Sequence, residues 1–282
     1  HGRTSVMEKL RMSNLQQRVL TGIVLGILIL GSIWLGPLYQ GIAFSSFMLL
    51  GLWEFYTLCE GISVVRISKE MGVFIGLFIY VLLIGMSMRI LPVISITLIS
   101  PLFFSLILIE LWKKHGSPLL NIALLLMGII YVTIPFYLCI DLNLRNTEYL
   151  SSVSVMFILI WTNDSMAYFT GKYLGKRPLF ARISPKKTWE GTIGGILFTV
   201  LAGLIIGTYI NRGRVDFWLV SAVLISLGAI FGDLLESLFK RSLNVKDSGT
   251  ILPGHGGILD RFDAALFSIP FFYCWYMLYF YW

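Results

Sequence analysis

Charged residues are scarce in this chain, and their scarcity decides its class. Only 13% of the 282 residues are Asp, Glu, Lys or Arg, whereas 57% are hydrophobic. A soluble globular domain carries about a quarter charged residues. The composition therefore excludes an ordinary soluble protein and predicts an all-α, polytopic membrane protein.

Cysteine is rare too. Cys59, Cys139 and Cys274 are the three cysteines, and they lie in or beside apolar segments. Their spacing fits neither a zinc site nor a disulfide framework, so we expect them to be buried small hydrophobic residues. The chain also lacks internal repeats, Pro/Gly linkers and low-complexity tracts. Its net charge of +7 is distributed along the loops between apolar segments, and we expect no nucleic-acid partner.

Long hydrophobic runs predict about nine transmembrane helices. Each run has about 17–23 residues, which is enough to cross the hydrocarbon core. Gly-xxx-Gly pairs such as Gly191/Gly195 and Gly228/Gly232 predict close packing between helices of the same chain. The predicted spans are roughly Val19–Gly36, Leu38–Leu58, Met71–Met88, Ile90–Leu111, Pro118–Ile140, Leu150–Thr170, Thr192–Ile210, Val215–Leu235 and Asp263–Tyr281.

The basic residues predict the orientation of these spans. With the N-terminus in the cytoplasm, 18 of the 22 lysines and arginines fall on the cytoplasmic side, as the positive-inside rule requires. The C-terminus is then outside. The predicted regions are a cytoplasmic arm at 1–18 that begins with a cloning remnant, N-terminal transmembrane helices at 19–149, and a catalytic half at 150–282 with charged cytoplasmic loops at 171–191 and 237–263.

The stretch Ser237–Asp263 is polar although it lies between two apolar segments. It contains four basic residues, three aspartates, one histidine and four glycines. Asp233, Glu236, Ser237 and Lys240 are spaced i, i+3, i+4 and i+7, so they share one face of a helix. A carboxylate in an apolar helix is costly without a partner and marks a functional site. We expect phosphates and a metal here; the alternative is a solvated basic loop.

A glycine turn at 254–257 supports the phosphate interpretation. Glycines let the backbone approach a ligand and point N–H groups at phosphate oxygens. His255, inside the turn, either donates to a phosphate or stabilises the turn. Asp260 and Asp263 follow at the start of the last helix, where negative charge suits the helix dipole. Oxygen ligands from two helices, completed by substrate phosphates, are the usual way to hold Mg²⁺.

A second polar group lies inside the sixth span. Asn163, Asp164 and Tyr168 share a helical face there. An aspartate at that depth needs a partner or a water-filled cavity; the alternative is a helix-to-helix hydrogen bond. The following loop, 171–191, carries six basic residues, which either bind phosphates or only enforce the topology and attract anionic headgroups.

Other polar features are predicted to have no role in a site. The run Gly171-x3-Gly175-Lys176-Arg177 lacks the spacing of a P-loop and its Ser/Thr. Glu54 and Glu110 lie near the cytoplasmic ends of their spans, where we expect the carboxylates to reach water.

The polar stretches also carry a resemblance. The run Ser237-x2-Lys240-Arg241-x4-Lys246-Asp247-x-Gly249-x2-Leu252-Pro253-x-His255-Gly256-Gly257-x2-Asp260-Arg261-x-Asp263 resembles the signature of the phosphatidate cytidylyltransferases, or CDP-diacylglycerol synthases. The NDxxAY piece at 163–168, the ISPKKTWEG piece at 183–191 and, more weakly, WEFY at 53–56 are similar to the same family. The resemblance covers the C-terminal half by motif and the N-terminal half by hydropathy.

The resemblance implies a reaction of CTP with phosphatidic acid that gives CDP-diacylglycerol and pyrophosphate. It implies that Asp233 and Asp260 bind Mg²⁺, with Asp263 and Glu236 as further candidate ligands; a second cation is normal for such transfers. Lys240, Arg241, Lys246 and Arg261 are expected to neutralise phosphates. The remaining expected substrate-binding residues are Asn163, Asp164, Tyr168, Ser184, Lys186, Lys187, Ser237, Asp247, Gly254, His255, Gly256 and Gly257.

The expected partners are CTP, phosphatidic acid, membrane lipids and, as the family suggests, a second copy of the chain. The expected location is the bacterial inner membrane, with the active site facing the cytoplasm. Three other functions stay open at this point. An ion-coupled transporter would use the membrane-level aspartates as an ion path, a polyprenol or dolichol kinase would use CTP on an alcohol, and a scaffold would need no chemistry.

Overall fold

The computed structural model describes residues 14–113, 116–146, 150–211, 213–245, 248–249 and 256–282, with backbone alone for 14–19. Within these ranges the chain forms nine helices, one in each predicted span. They are α1 (Asn14–Leu35), α2 (Pro37–Cys59), α3 (Lys69–Ser87), α4 (Val93–Glu110), α5 (Pro118–Arg145), α6 (Ser152–Leu174), α7 (Trp189–Ile210), α8 (Val215–Ser242) and α9 (Leu259–Tyr281).

Seven of the nine helices in the described ranges are long and apolar enough to cross a membrane. The other two are α1, whose apolar part is Leu20–Leu35, and α6, whose second half carries the polar pair Asn163–Asp164. The polytopic helical membrane class is therefore confirmed. The number of nine spans and the cytoplasmic N-terminus remain predictions.

The chain is helical as predicted, apart from one short hairpin. The loop predicted at 171–191 is largely structured, because α6 continues to Leu174 and a short antiparallel hairpin follows. Strand β1 (Pro178–Phe180) pairs with strand β2 (Ser184–Thr188), and α7 begins at the next residue. The Thr188 hydroxyl accepts a hydrogen bond from the Gly191 amide and so caps α7. The hairpin therefore places Lys186 and Lys187, two of the predicted site residues, on strand β2.

Small residues bring the helices of the C-terminal half together. A Cβ at Gly194 of α7 would lie 2.6 Å from the Cβ of Thr170 on α6. A Cβ at Gly232 of α8 would lie 3.0 Å from the carbonyl carbon of Asp263 on α9. Both distances are too short for a side chain, so glycine permits this helix packing. The close approach at Gly232 sets Asp233 beside the start of α9.

The cysteine prediction is right for two residues and wrong for the third. Cys59 and Cys139 are buried, whereas Cys274 on α9 is exposed. In a membrane protein an apolar helix face also suits a surface that contacts lipid, so an apolar neighbourhood does not require burial within the protein.

Candidate active site

A lysine and an aspartate form an ion pair at the centre of the polar region. Lys187 of β2 pairs with Asp233 of α8, and the Asp233 carboxylate also accepts a 3.3 Å hydrogen bond from the Ser237 hydroxyl. Asp164 of α6 lies within electrostatic range of both Lys187 and Asp233. Asp263 of α9 lies within range of the same groups. One ammonium group therefore pairs with one carboxylate and interacts electrostatically with carboxylates from two further helices.

A second ion-pair network joins α8 to α9. The Lys240 ammonium donates to Glu236 at 2.8 Å and to Asp260 at 2.6 Å. The other carboxylate oxygen of Asp260 accepts hydrogen bonds from the backbone amides of Gly257, at 2.8 Å, and Ser248, at 3.1 Å. The network thus ties the end of α8, the start of α9 and the loop residues Ser248 and Gly257 to one aspartate.

Two cavities reach this region. The lysine cavity, of about 390 Å³, lies between α6, the hairpin, α7 and α8. The arginine cavity, of about 340 Å³, lies between α1, α6 and α9. Asp164 borders both cavities. The charged residues of the lysine cavity are Asp164, Lys172, Lys186, Lys187 and Asp233, and those of the arginine cavity are Asp164, Asp260, Arg261 and Asp263.

The walls of the two cavities differ in character. Beside its three lysines, the lysine cavity presents Asn163, Tyr168 and Thr188. The arginine cavity has one basic residue and a largely apolar wall, which consists of Thr21, Gly22, Leu25, Gly26, Ile29, Phe157, Ile160, Trp161, Ala264 and Ala265. The lysine cavity therefore sets three lysines against two aspartates, whereas the arginine cavity sets one arginine against three aspartates.

The structure brings many of the predicted site residues together. Asn163, Asp164, Tyr168, Lys186, Lys187 and Asp233 share the lysine cavity, while Asp260, Arg261 and Asp263 share the arginine cavity. Lys240 and Glu236 instead bond within the α8–α9 network. Ser184, Ser237, Arg241, Gly256 and Gly257 line neither cavity, and Lys246, Asp247, Gly254 and His255 lie outside the described residues.

Two predictions about isolated carboxylates are wrong. Glu54 and Glu110 are only 2% and 6% exposed, so neither reaches water as expected. Glu110 bonds the Asn121 amide and Lys113. Glu54 bonds Ser248 in the loop between α8 and α9 and Leu259 at the start of α9, a role that the sequence did not indicate. Lys172 and Thr188 were not predicted as site residues, although both line the lysine cavity. Spacing along a helix or strand does not show which side chains border a cavity.

The carboxylates fit a hard cation in their chemistry. Within the described ranges, no group of three or more His, Cys, Asp or Glu side chains is close enough to hold a metal ion without rearrangement or other ligands. Mg²⁺ commonly takes only one or two carboxylates, with phosphates and water completing its shell. Asp233 and Asp263 lie on adjoining turns of α8 and α9, and one buried oxygen of Glu236 has no hydrogen-bond partner. The donor set is therefore suitable for Mg²⁺.

Comparison with known proteins agrees with this site chemistry. The chain is 34% identical to the phosphatidate cytidylyltransferase of Haemophilus influenzae over 280 residues, covering 92% of this chain and 97% of that protein. It is 32% identical to the protein of the same name from Bacillus subtilis over 266 residues, covering 93% and 97%. A Staphylococcus epidermidis protein of that name is 40% identical over 160 residues, covering 56% and 60%.

A family model gives the same assignment over almost the whole chain. The model described as "Cytidylyltransferase family" matches residues 16–280, which include all nine helices except the first two residues of α1 and the last residue of α9. This range contains both cavities and both ion-pair networks. The chain belongs to the cytidylyltransferase family and is a nucleotidyltransferase.

Proposed function

We propose that the chain transfers the cytidylyl group of CTP to phosphatidic acid, giving CDP-diacylglycerol and pyrophosphate. Relatives of this name that align over nearly their full length support the substrates. The observation that carries the proposal is the meeting of the lysine cavity and the arginine cavity at Asp164, beside the Lys187–Asp233 pair. Two anionic substrates can approach this point from different sides.

The lysine cavity is the proposed site of CTP. Its lysines, Lys172, Lys186 and Lys187, supply positive charge for a triphosphate. The Thr188 hydroxyl and the Asn163 amide add polar contacts on the same wall. The lysine cavity is the more cationic of the two cavities, because the arginine cavity has one arginine and three aspartates.

The arginine cavity is the proposed site of the lipid phosphate. Arg261 suits a phosphomonoester because its guanidinium group can bind two phosphate oxygens at once. Leu25, Ile29 and Phe157 offer apolar contact to the glycerol and the first part of the acyl chains. The lipid phosphate would then face the nucleotide across Asp164.

The proposed reaction needs charge neutralisation more than proton transfer. An oxygen of the lipid phosphate attacks the α-phosphorus of CTP, and the bond from that phosphorus to the bridging oxygen of the β-phosphate breaks. The electron pair leaves on pyrophosphate. A phosphomonoester is already ionised near neutral pH, so no strong general base is required. Lys187 and Arg261 are placed to reduce the repulsion between the two anions.

Mg²⁺ is part of the same proposal. Asp233 and Asp260 would hold it, with Asp263 and Glu236 as further ligands, and it would neutralise charge on the leaving pyrophosphate. A second cation is a further expectation. We also propose nine spans with the site on the cytoplasmic face of a bacterial inner membrane, as the distribution of basic residues supports, and a homodimer, which rests on the family resemblance alone.

The proposal is tested by pyrophosphate release from purified protein in detergent, with CTP, phosphatidic acid and Mg²⁺ omitted one at a time. Release should require all three and should cease with diacylglycerol or a polyprenol as acceptor. Asp260→Asn should reduce turnover at least about 100-fold, while a properly folded Asp260→Asn protein with near wild-type turnover would refute the assigned role. A lipid kinase would instead transfer the γ-phosphoryl group of CTP to the alcohol and release CDP, so CDP formation with an alcohol acceptor and no pyrophosphate release would favour that alternative.

A further inference from the structure

We propose that Glu54 is a positioning residue, which holds the loop between α8 and α9 in the arrangement that places Asp260. This inference rests on the proposed function only in giving Asp260 a catalytic task. Glu54 lies on α2, in the N-terminal half of the chain, and its side chain borders neither cavity. Any effect on the reaction must therefore pass through the loop.

The Glu54 carboxylate holds the start of α9. One of its oxygens accepts a 3.0 Å hydrogen bond from the amide of Leu259, which is the first residue of α9 and lies 205 positions further along the chain. The backbone of Ile258 also hydrogen-bonds this carboxylate. The first amides of a helix have no partner within the helix, and Ile258 offers no capping side chain. Glu54 therefore caps α9 from another helix.

The same carboxylate oxygen also binds Ser248 within the loop. The Ser248 hydroxyl donates to it at 3.4 Å, and the Ser248 amide donates to Asp260. On the α9 side, the Gly257 amide donates to Asp260 at 2.8 Å while its α-carbon faces Glu54. Two loop residues thus stand between the Glu54 carboxylate and the Asp260 carboxylate and contact both.

Two glycines show how closely the loop backbone approaches Glu54. A Cβ at Gly249 would lie 2.6 Å from one carboxylate oxygen of Glu54. A Cβ at Gly257 would lie 2.7 Å from the carboxylate carbon. In both cases the atom met is at the end of the Glu54 side chain, so the two glycines let the loop backbone pack directly against this carboxylate.

The burial of Glu54 makes this contact sensitive to loop position. A buried carboxylate is costly unless hydrogen bonds satisfy it. In the part of the chain that the structure describes, no lysine or arginine pairs with Glu54, and its other oxygen has no hydrogen-bond partner. The described donors to Glu54 all come from the loop and the first residue of α9. If the loop moved away, the carboxylate would lose them together.

The test compares Glu54→Gln and Glu54→Ala with Glu110→Gln as a matched control. Glu110 is also a buried, hydrogen-bonded carboxylate, but it contacts Asn121 and Lys113 and not the loop. Glu54→Ala should lower kcat about 10- to 100-fold, and Glu54→Gln, which keeps an acceptor for the Leu259 amide, should lose about 10-fold or less. KM for CTP should stay within about threefold, because Glu54 does not border the lysine cavity.

Hydrogen exchange supplies a readout that needs no substrate. The amides of Ser248, Gly257 and Leu259 should exchange at least about 10-fold faster in Glu54→Ala than in wild type, while α2 and α3 keep their protection. Glu110→Gln should leave these three amides unchanged. Unchanged exchange at these amides in Glu54→Ala would overturn the proposal, and so would faster exchange spread over the whole chain. A wild-type protein that makes no CDP-lipid would refute the proposed function and leave this exchange result standing.

Discussion

At the scale of single residues, Lys187 has the clearest electrostatic task. Asp164, Asp233 and Asp263 come from three helices, and each lies within electrostatic range of the others and of Lys187. Like charges this close repel one another, and the ammonium group offsets that repulsion. Lys187 also lines the lysine cavity. Its charge therefore offsets the repulsion between the aspartates and also attracts an incoming polyanion.

The Lys187→Ala substitution should therefore impair the reaction more than the removal of another basic side chain from the hairpin. We expect kcat/KM for CTP to fall about 100-fold, equivalent to about 2.7 kcal/mol. Arg182→Ala is the control, because Arg182 is exposed in the turn of the same hairpin and borders neither cavity. Steady-state rates at varied CTP give the comparison. Equal kinetics for the two variants would contradict the role of Lys187.

At the scale of secondary-structure elements, the packing of α6 against α7 determines the position of one wall of the lysine cavity. Asn163 and Ala167 of α6 face Gly195 of α7, where a Cβ would lie within 3.0 Å of both residues. The hairpin between the two helices then folds back over their ends, since the Trp189 amide donates to the Arg177 carbonyl at 3.0 Å. Lys186 and Lys187 reach the cavity because this packing is close.

Gly194→Ala should separate these two helices. The new Cβ would lie 2.6 Å from the Cβ of Thr170, which is backbone-proximal and cannot swing away. Overpacking of this kind costs about 1–3 kcal/mol, so we expect Tm to fall by about 2 °C or more. Gly31→Ala in α1 is the control, because a Cβ there would meet nothing within 4 Å. Thermal unfolding in one detergent measures both, and an equal Tm for the two variants would argue against the close packing.

At the scale of the whole molecule, the topology depends on whether α6 crosses the membrane. It has 23 residues, but it is not among the seven helices that are apolar enough within the described ranges. Nine spans require α6 to cross, with Asp164 facing a cavity. A polar residue at that depth is tolerated where it lines a water-filled space, and Asp164 does line both cavities.

The crossing can be tested with single cysteines in a variant that lacks the three native ones. Thr147→Cys, between α5 and α6 in the sequence, should react with a membrane-impermeant maleimide on intact cells. Arg182→Cys, in the hairpin after α6, should react only after permeabilisation. Labelling of both cysteines under the same condition would mean that α6 does not cross.

Much of this molecule could be predicted from its sequence, because apolar runs determine the helices of a membrane protein. The carboxylates Asp164 and Asp233 could be found for the same reason, since a charge in an apolar run needs an explanation. The hairpin could not, because its three- and five-residue strands leave no periodic pattern. The bond from Glu54 to Leu259 could not either, because it joins positions 205 apart through tertiary packing.

The central claim is cytidylyl transfer to a lipid phosphate, and the position of a label in CTP tests it most directly. Purified protein in detergent is given phosphatidic acid, Mg²⁺ and CTP labelled on either the α-phosphate or the γ-phosphate. We predict that the α-label enters the lipid fraction and that the γ-label is released as pyrophosphate. Entry of the γ-label into lipid would contradict the account, because it would mean phosphoryl transfer by a kinase.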